Sequence, residues 1–128
     1  MVGRLTMLEP HRQTDIAALV PYFRDRVVLV LRDLVAAGWD PRVFEAYRSV
    51  ERQKWLYAAG RTRDTGHPPV TWTRHSRHQV GKAVDIISRS QGWRSQRFFD
   101  ALKTAARKHQ LHLLDADRCH IEWRGGQT

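Results

Sequence analysis

Apolar side chains recur at three- and four-residue steps through Ile16, Leu19, Val20, Phe23, Val27, Val30, Leu31, Leu34 and Val35. That is the period of an α-helix with one face to bury, so the first third of the chain must find an apolar surface to lie on. Thr14 or Asp15 is suited to cap its start and Gly38 its end. Pro21 falls inside the pattern, where its ring removes a hydrogen bond and collides with the preceding turn. The periodicity therefore predicts a short first helix and a longer one that begins at Pro21. Another amphipathic helix is predicted from Arg94 to His109, with Phe98, Leu102, Ala105 and Ala106 inward and Arg94, Arg97, Lys103, Arg107 and Lys108 outward.

The surface for these helices comes from short strands. Val43, Phe44, Ala46 and Tyr47 suggest one that leads to Arg48 and Ser49, after which Glu51 to Ala59 reads as helix closed by Gly60. Arg61 to His75 contains Gly66, Pro68 and Pro69 and must be a loop. Structureless stretches of roughly 15 residues are uncommon inside a domain and often functional, so this loop is expected to border a substrate cleft. Lys82 to Ile87 is a strand, with Ala83, Asp85 and Ile87 on one face and Val84 and Ile86 on the other. Two more strands are expected, around Leu111 to Leu114 and Cys119 to Trp123. In the latter, His120 and Glu122 share one face, and Cys119, Ile121 and Trp123 the other. No internal repeat or low-complexity segment breaks the pattern. The expected fold class is α+β, a short antiparallel sheet with flanking helices. The chain is expected to be one domain, with N-terminal helices over about 12–38 and a core over about 40–124.

The formal net charge of +9, from 22 Lys and Arg against 13 Asp and Glu, points to a polyanionic partner or surface. Nucleic acid is one candidate and an anionic cell envelope another. The basic residues are scattered, and no helix-turn-helix or aromatic-basic RNA motif is evident, so no specific nucleic-acid partner is expected. The N-terminus, Met1 to Pro10, lacks the apolar run of a signal peptide, and no stretch approaches the roughly 18 apolar residues of a membrane span. A soluble chain made in the cytoplasm is expected, and a monomer. Cys119 is the single cysteine, so no intramolecular disulfide forms. It lies beside His120, but adjacent strand residues point to opposite faces, so it reads as a buried, inert thiol rather than a metal ligand.

Two compact elements hold the chemistry. His78 and Asp85 lie in Ser76-Arg77-His78-Gln79-Val80-Gly81-Lys82-Ala83-Val84-Asp85, and Asp117-Arg118-Cys119-His120 follows near the C-terminus. A turn at Gln79 to Gly81 can bring His78 and Asp85 to one ion, and a buried His–Asp pair explains the same spacing nearly as well. His120 adds a third ligand, and three protein ligands with a fourth position for water is the pattern of catalytic zinc. Asp117, three residues before His120, is suited to act as a general base beside that water.

Ser76-x-His78-x-x-Gly81-x-Ala83-x-Asp85 followed by Asp117-x-x-His120 resembles the zinc D-alanyl-D-alanine carboxypeptidases of the VanY type and the related phage L-alanyl-D-glutamate endopeptidases. Tyr47-Arg48-Ser49-x-x-Arg52-Gln53 looks like the family's arginine-bearing strand and following helix, and Gly60-Arg61-Thr62 like its downstream loop, so the likeness covers roughly residues 40 to 123. The resemblance implies a hedgehog/D-Ala-D-Ala-peptidase-like fold and zinc (Zn2+) held by His78, Asp85 and His120. It gives Asp117 the acid/base role and Arg48 the stabilisation of the substrate carbonyl, with Ser76 and Gln53 as substrate-cleft residues and Trp123 as packing.

The resemblance also implies peptidoglycan as substrate and hydrolysis of a bond in its stem peptide. An L-alanyl-D-glutamate endopeptidase acting as a phage or prophage endolysin is favoured, because wall lysis requires cutting load-carrying links and trimming does not achieve it. Such an enzyme would reach the wall after release from the host cytoplasm. A D-alanyl-D-alanine carboxypeptidase is the alternative. A non-catalytic binding module for cell wall or nucleic acid is a further one, against which Asp117 argues, since a pure binder needs no base.

Overall fold

The structure is a computed structural model that describes residues 8–63, 65–66, 68–71 and 75–125. Residues 64, 67 and 72–74 of the predicted loop, and Met1 to Met7 of the N-terminal stretch, lie outside the described residues. After a 3-10 turn at Ile16–Ala18 the elements are α1 (Pro21–Ala36), β1 (Pro41–Glu45), α2 (Val50–Ala58), a 3-10 turn at Arg77–Val80, β2 (Ala83–Ser88), α3 (Gln96–Lys108), β3 (His112–Leu114) and β4 (Asp117–Glu122). The expected short helix before Pro21 is thus a single 3-10 turn, which Asp15 caps by accepting from the Ala17 N–H at 2.8 Å. Pro21 opens α1, where its missing N–H costs nothing. Trp39 N–H bonds to Leu34 O and Gly38 N–H to Val35 O, with Gly38 left-handed at φ 92°, which satisfies the last carbonyls of α1.

The strands form one antiparallel sheet in the order β1-β2-β4-β3. On one side Phe23, Val27, Val30 and Leu34 of α1 and Phe98, Leu102 and Ala106 of α3 pack with Val84, Ile86 and Ile121 into a core that excludes water. On the other side the register pairs Glu45 with Asp85 and Asp85 with His120, which sets three ionisable side chains in one row across the sheet. The two faces therefore divide stability from chemistry. Every residue of β2 is buried, because it lies between β1 and β4 with the Arg77–Val80 turn packed against it.

β4 begins at Asp117, two residues earlier than the expected strand. Leu113 pairs with Ile121 but Leu114 pairs with Asp117, so residues 118–120 bulge out of the β3 ladder. Among the described residues no helix is long and apolar enough to cross a membrane.

Gly81 ties the chemistry-bearing turn to the N-terminal segment. It ends the Arg77–Val80 turn in the left-handed region at φ 70°, and its carbonyl accepts from Val20 N–H at 3.0 Å. A Cβ there would lie 3.2 Å from both Ala18 O and Val20 N. Gly81→Ala is expected to destabilise the fold by about 2 kcal/mol, combining left-handed strain with crowding, and to lower Tm by several degrees in thermal unfolding.

Candidate metal centre

His78 is delivered by its turn. Ser76 caps it, accepting from His78 N–H at 3.2 Å, while the Gln79 side chain accepts from Ser76 N–H at 2.7 Å. His78 O accepts from Arg48 N–H at 3.0 Å, which joins the turn to the segment after β1. The buried imidazole then faces Ala46 O through Nδ1 at 2.8 Å. A carbonyl only accepts, so Nδ1 donates to it and Nε2 is the nitrogen turned toward the site.

His120 is held in the mirror sense. Its Nε2 lies 2.8 Å from Glu122 Oε1, and its Nδ1 points to Asp85. Asp85 Oδ1 sits between the imidazoles, 3.3 Å from His78 Nε2 and 3.4 Å from His120 Nδ1. It is buried and has no hydrogen-bond partner among the described residues. Donors around a tetrahedral ion with bonds of roughly 2.0–2.1 Å stand roughly 3.3 Å apart, which is the spacing found. One donor atom from each of His78, Asp85 and His120 falls in a single group within 4.8 Å. Two nitrogens and a carboxylate oxygen suit a divalent ion of zinc's type.

Burial pushes the Asp85 carboxyl up, but the two imidazoles outweigh it and hold it well below the usual carboxylate range. Burial pushes His120 down, and the nearby carboxylates of Asp85 and Glu122 overcome this to raise it to about 9. Glu122 is likewise raised by burial but lowered further by His120 and Arg124, to about 2.

Asp117 is exposed on the first position of β4, and it groups with Asp85 and Cys119 within 4.8 Å. Cys119 is buried with Ile121 in the apolar core, as its place in the strand predicts, and its thiol also reaches the edge of the site, where it donates to Asp117 Oδ1 at 3.2 Å. Burial and the charges of Asp85 and Asp117 push that thiol far up, so it stays protonated. Arg48 is buried, with Nη2 2.9 Å from Glu45 Oε1 and 3.6 Å from Asp85 Oδ2, and Nη1 donating to Gln53 Oε1 at 2.8 Å. Glu45 also binds Arg52. Gln53 is thus fully buried beneath Arg48, whereas a position in the cleft was expected.

These groups line a cavity of about 690 Å³, walled by Phe44, Trp55, Trp93 and, from the predicted loop, Val70 and Thr71. Ser76 lines it too. The larger surroundings of the site, Glu45, Glu122 and the aromatic walls, carry no motif of their own. Only the shared face of His120 and Glu122 hinted at one of them.

Without a bound ion, His120 contributes stability that is fully present below its unfolded value near 6.5 and is lost as pH rises through about 9. The metal-free protein is therefore expected to lose Tm between those pH values in chelator-treated unfolding scans, and His120→Gln to flatten that slope.

Comparison with known proteins bears on this geometry. The structure matches Serratia marcescens L-Ala D-Glu endopeptidase ChiX with TM-score 0.61 and 20% identity, over 95% of this chain and 94% of that one. It matches VanYB in complex with D-alanine-D-alanine with TM-score 0.69 and 15% identity, over 92% and 79%. A variant of the vancomycin-resistance D,D-pentapeptidase VanY in complex with Zn(II) matches with TM-score 0.61 and 17% identity, over 84% and 73%. At these identities the likeness is one of fold. Sequence comparison with curated proteins finds no significant match. The family model described as VanY, D-alanyl-D-alanine carboxypeptidase, matches residues 19–116, a stretch that takes in Arg48, His78 and Asp85 and ends one residue before Asp117. That match spans well over half of the sequence, and the chain belongs to the VanY family of D-alanyl-D-alanine carboxypeptidases.

Proposed function

We propose that this chain is a zinc peptidase that hydrolyses a bond in the stem peptide of bacterial peptidoglycan. The observation that carries the reading is Asp85 Oδ1, which has no hydrogen-bond partner among the described residues and stands at ligand spacing between two imidazoles whose outer nitrogens are already held by Ala46 O and Glu122. A structural His–Asp pair would close to hydrogen-bond distance instead of standing 3.3–3.4 Å apart. Family membership and the Zn(II) complex of a VanY of the same fold support the same ion.

His78 Nε2, Asp85 Oδ1 and His120 Nδ1 would hold the zinc. Bound there, it supplies Lewis-acid chemistry, lowering the pKa of a coordinated water from about 15.7 towards 7 and polarising a carbonyl. Asp117, beside Asp85 at the cavity wall, takes the proton from the attacking water and later returns it to the leaving amine. Arg48 stabilises charge that develops on the carbonyl oxygen. Glu45 and Gln53 hold its guanidinium so that it does not reorganise during the reaction. Ser76 serves the site twice, as the cap that sets His78 and as part of the cleft wall.

The bond is proposed to be L-alanyl-D-glutamate, in a bacteriolytic enzyme of the endolysin kind that acts on the wall. The near end-to-end match with the ChiX endopeptidase favours it over carboxypeptidase trimming, the second reading, which the family description favours. Mass spectrometry of digested muropeptides separates them. Release of stem peptides from L-Ala supports the endopeptidase, and loss of a terminal alanine the carboxypeptidase.

Asp117→Asn is expected to bind one zinc per chain yet lose turnover on purified peptidoglycan, whereas His120→Ala loses the metal itself. Full activity of either variant contradicts the assignment. Arg48→Ala is expected to lower kcat by roughly 10²–10³-fold with zinc retained, measured by metal analysis beside the assay.

A further inference from the structure

The N-terminal segment takes no part in the metal site, yet it is fastened along the cleft. Gln13 O accepts from Ala46 N–H at 2.7 Å, Glu9 pairs with Arg52 at 2.7 Å, and Pro10 O accepts from Arg52 Nη1 at 3.1 Å. Between these anchors Arg12 lies with its guanidinium carbon 3.9 Å from the Phe44 ring centroid, on the wall of the same cavity.

Among the described residues three arginines line that cavity, Arg12, Arg48 and Arg52. Arg48 is paired with Glu45, and Arg52 with both Glu45 and Glu9. Arg12 alone has no carboxylate partner among the described residues, and its Nε is sealed from water without a hydrogen bond. Stacking on Phe44 covers one face of the group, so the Nη1–Nη2 edge is what remains for a ligand. A partly desolvated cation whose Nε is unmet is a costly arrangement that a planar anion at the remaining donors relieves, and a carboxylate matches their fork.

We propose that Arg12 forms a carboxylate-binding subsite for the substrate residue whose amine leaves. The proposal rests on the peptidase reading above and deepens it. Both candidate bonds, in D-Ala-D-Ala and in L-Ala-D-Glu, carry a free carboxylate on that residue, so the subsite serves either specificity. Its role is to orient the scissile carbonyl by pulling on the far side of the bond, and no proton or bond changes at Arg12. It also gives the N-terminal segment a function: it fixes Arg12 from two sides, which lowers the entropy lost on binding.

The test uses the zinc-loaded Asp117→Asn chain, in which binding is read without turnover. Calorimetric titrations with D-Ala-D-Ala and with L-Ala-D-Glu whose γ-carboxyl is blocked as an amide, and with the same compounds bearing a carboxamide in place of the α-carboxylate, are compared with and without Arg12→Gln. The expected result is a roughly tenfold or greater loss of affinity for whichever carboxylate dipeptide binds, and little change for its carboxamide. Arg12→Lys keeps the charge without the fork and falls between the two. Equal loss on carboxylate and carboxamide would mean a structural role and overturns the subsite, as does unchanged affinity. With Asp117 restored, Arg12→Gln is expected to raise KM far more than it lowers kcat. Wild-type enzyme that binds the dipeptides through Arg12 but cleaves no wall peptide would refute the peptidase reading and leave the subsite standing.

Discussion

One buried oxygen organises this molecule. Asp85 Oδ1 is buried, and it meets two imidazoles at distances too long for good hydrogen bonds. An uncompensated buried carboxylate costs several kcal/mol, so the fold must either neutralise it or supply a cation. The surrounding parts serve that requirement. The antiparallel register brings His120 opposite Asp85, the left-handed Gly81 lets the His78 turn close against residues 18–20, and Arg48 approaches Oδ2.

Around this centre the charges are arranged in shells of alternating sign. Glu45 sits between Arg48 and Arg52, and Glu122 between His120 and the two arginines Arg77 and Arg124. Arg48 and His120 are thereby each held by a carboxylate that is itself paired. Such preorganisation limits the motion a site must suppress during reaction. It also explains how a chain of net charge +9 keeps a buried site rich in carboxylates: some of the excess arginines turn inward, as partners of those carboxylates.

Much of this arrangement is legible in the amino-acid sequence. The 3.6-residue period over Ile16 to Val35, broken at Pro21, locates α1 because proline at the first helical position is one of the strongest local signals. Ser76, His78, Gly81, Asp85, Asp117 and His120 are legible as a group because metal ligation and left-handed turns admit few residue types. Other parts are not legible. The bulge that pairs Leu114 with Asp117 depends on β3–β4 register, which alternation alone does not encode. Gln53 lies under Arg48 because the first turn of α2 faces inward, a matter of helix orientation and not of spacing. Arg12 gives no signal, since a lone arginine in a basic chain looks like any other until Phe44 is seen beneath it.

The central claim is that His78, Asp85 and His120 together hold a catalytic zinc. X-ray absorption spectroscopy at the zinc edge of the purified, zinc-loaded chain tests it most directly. The account predicts a four-coordinate first shell of nitrogen and oxygen donors at about 2.0–2.1 Å, two of them imidazoles, with no sulfur. A sulfur shell at about 2.3 Å, which would make Cys119 a ligand, or zinc that a mild chelator removes with no change in wall hydrolysis, would contradict it.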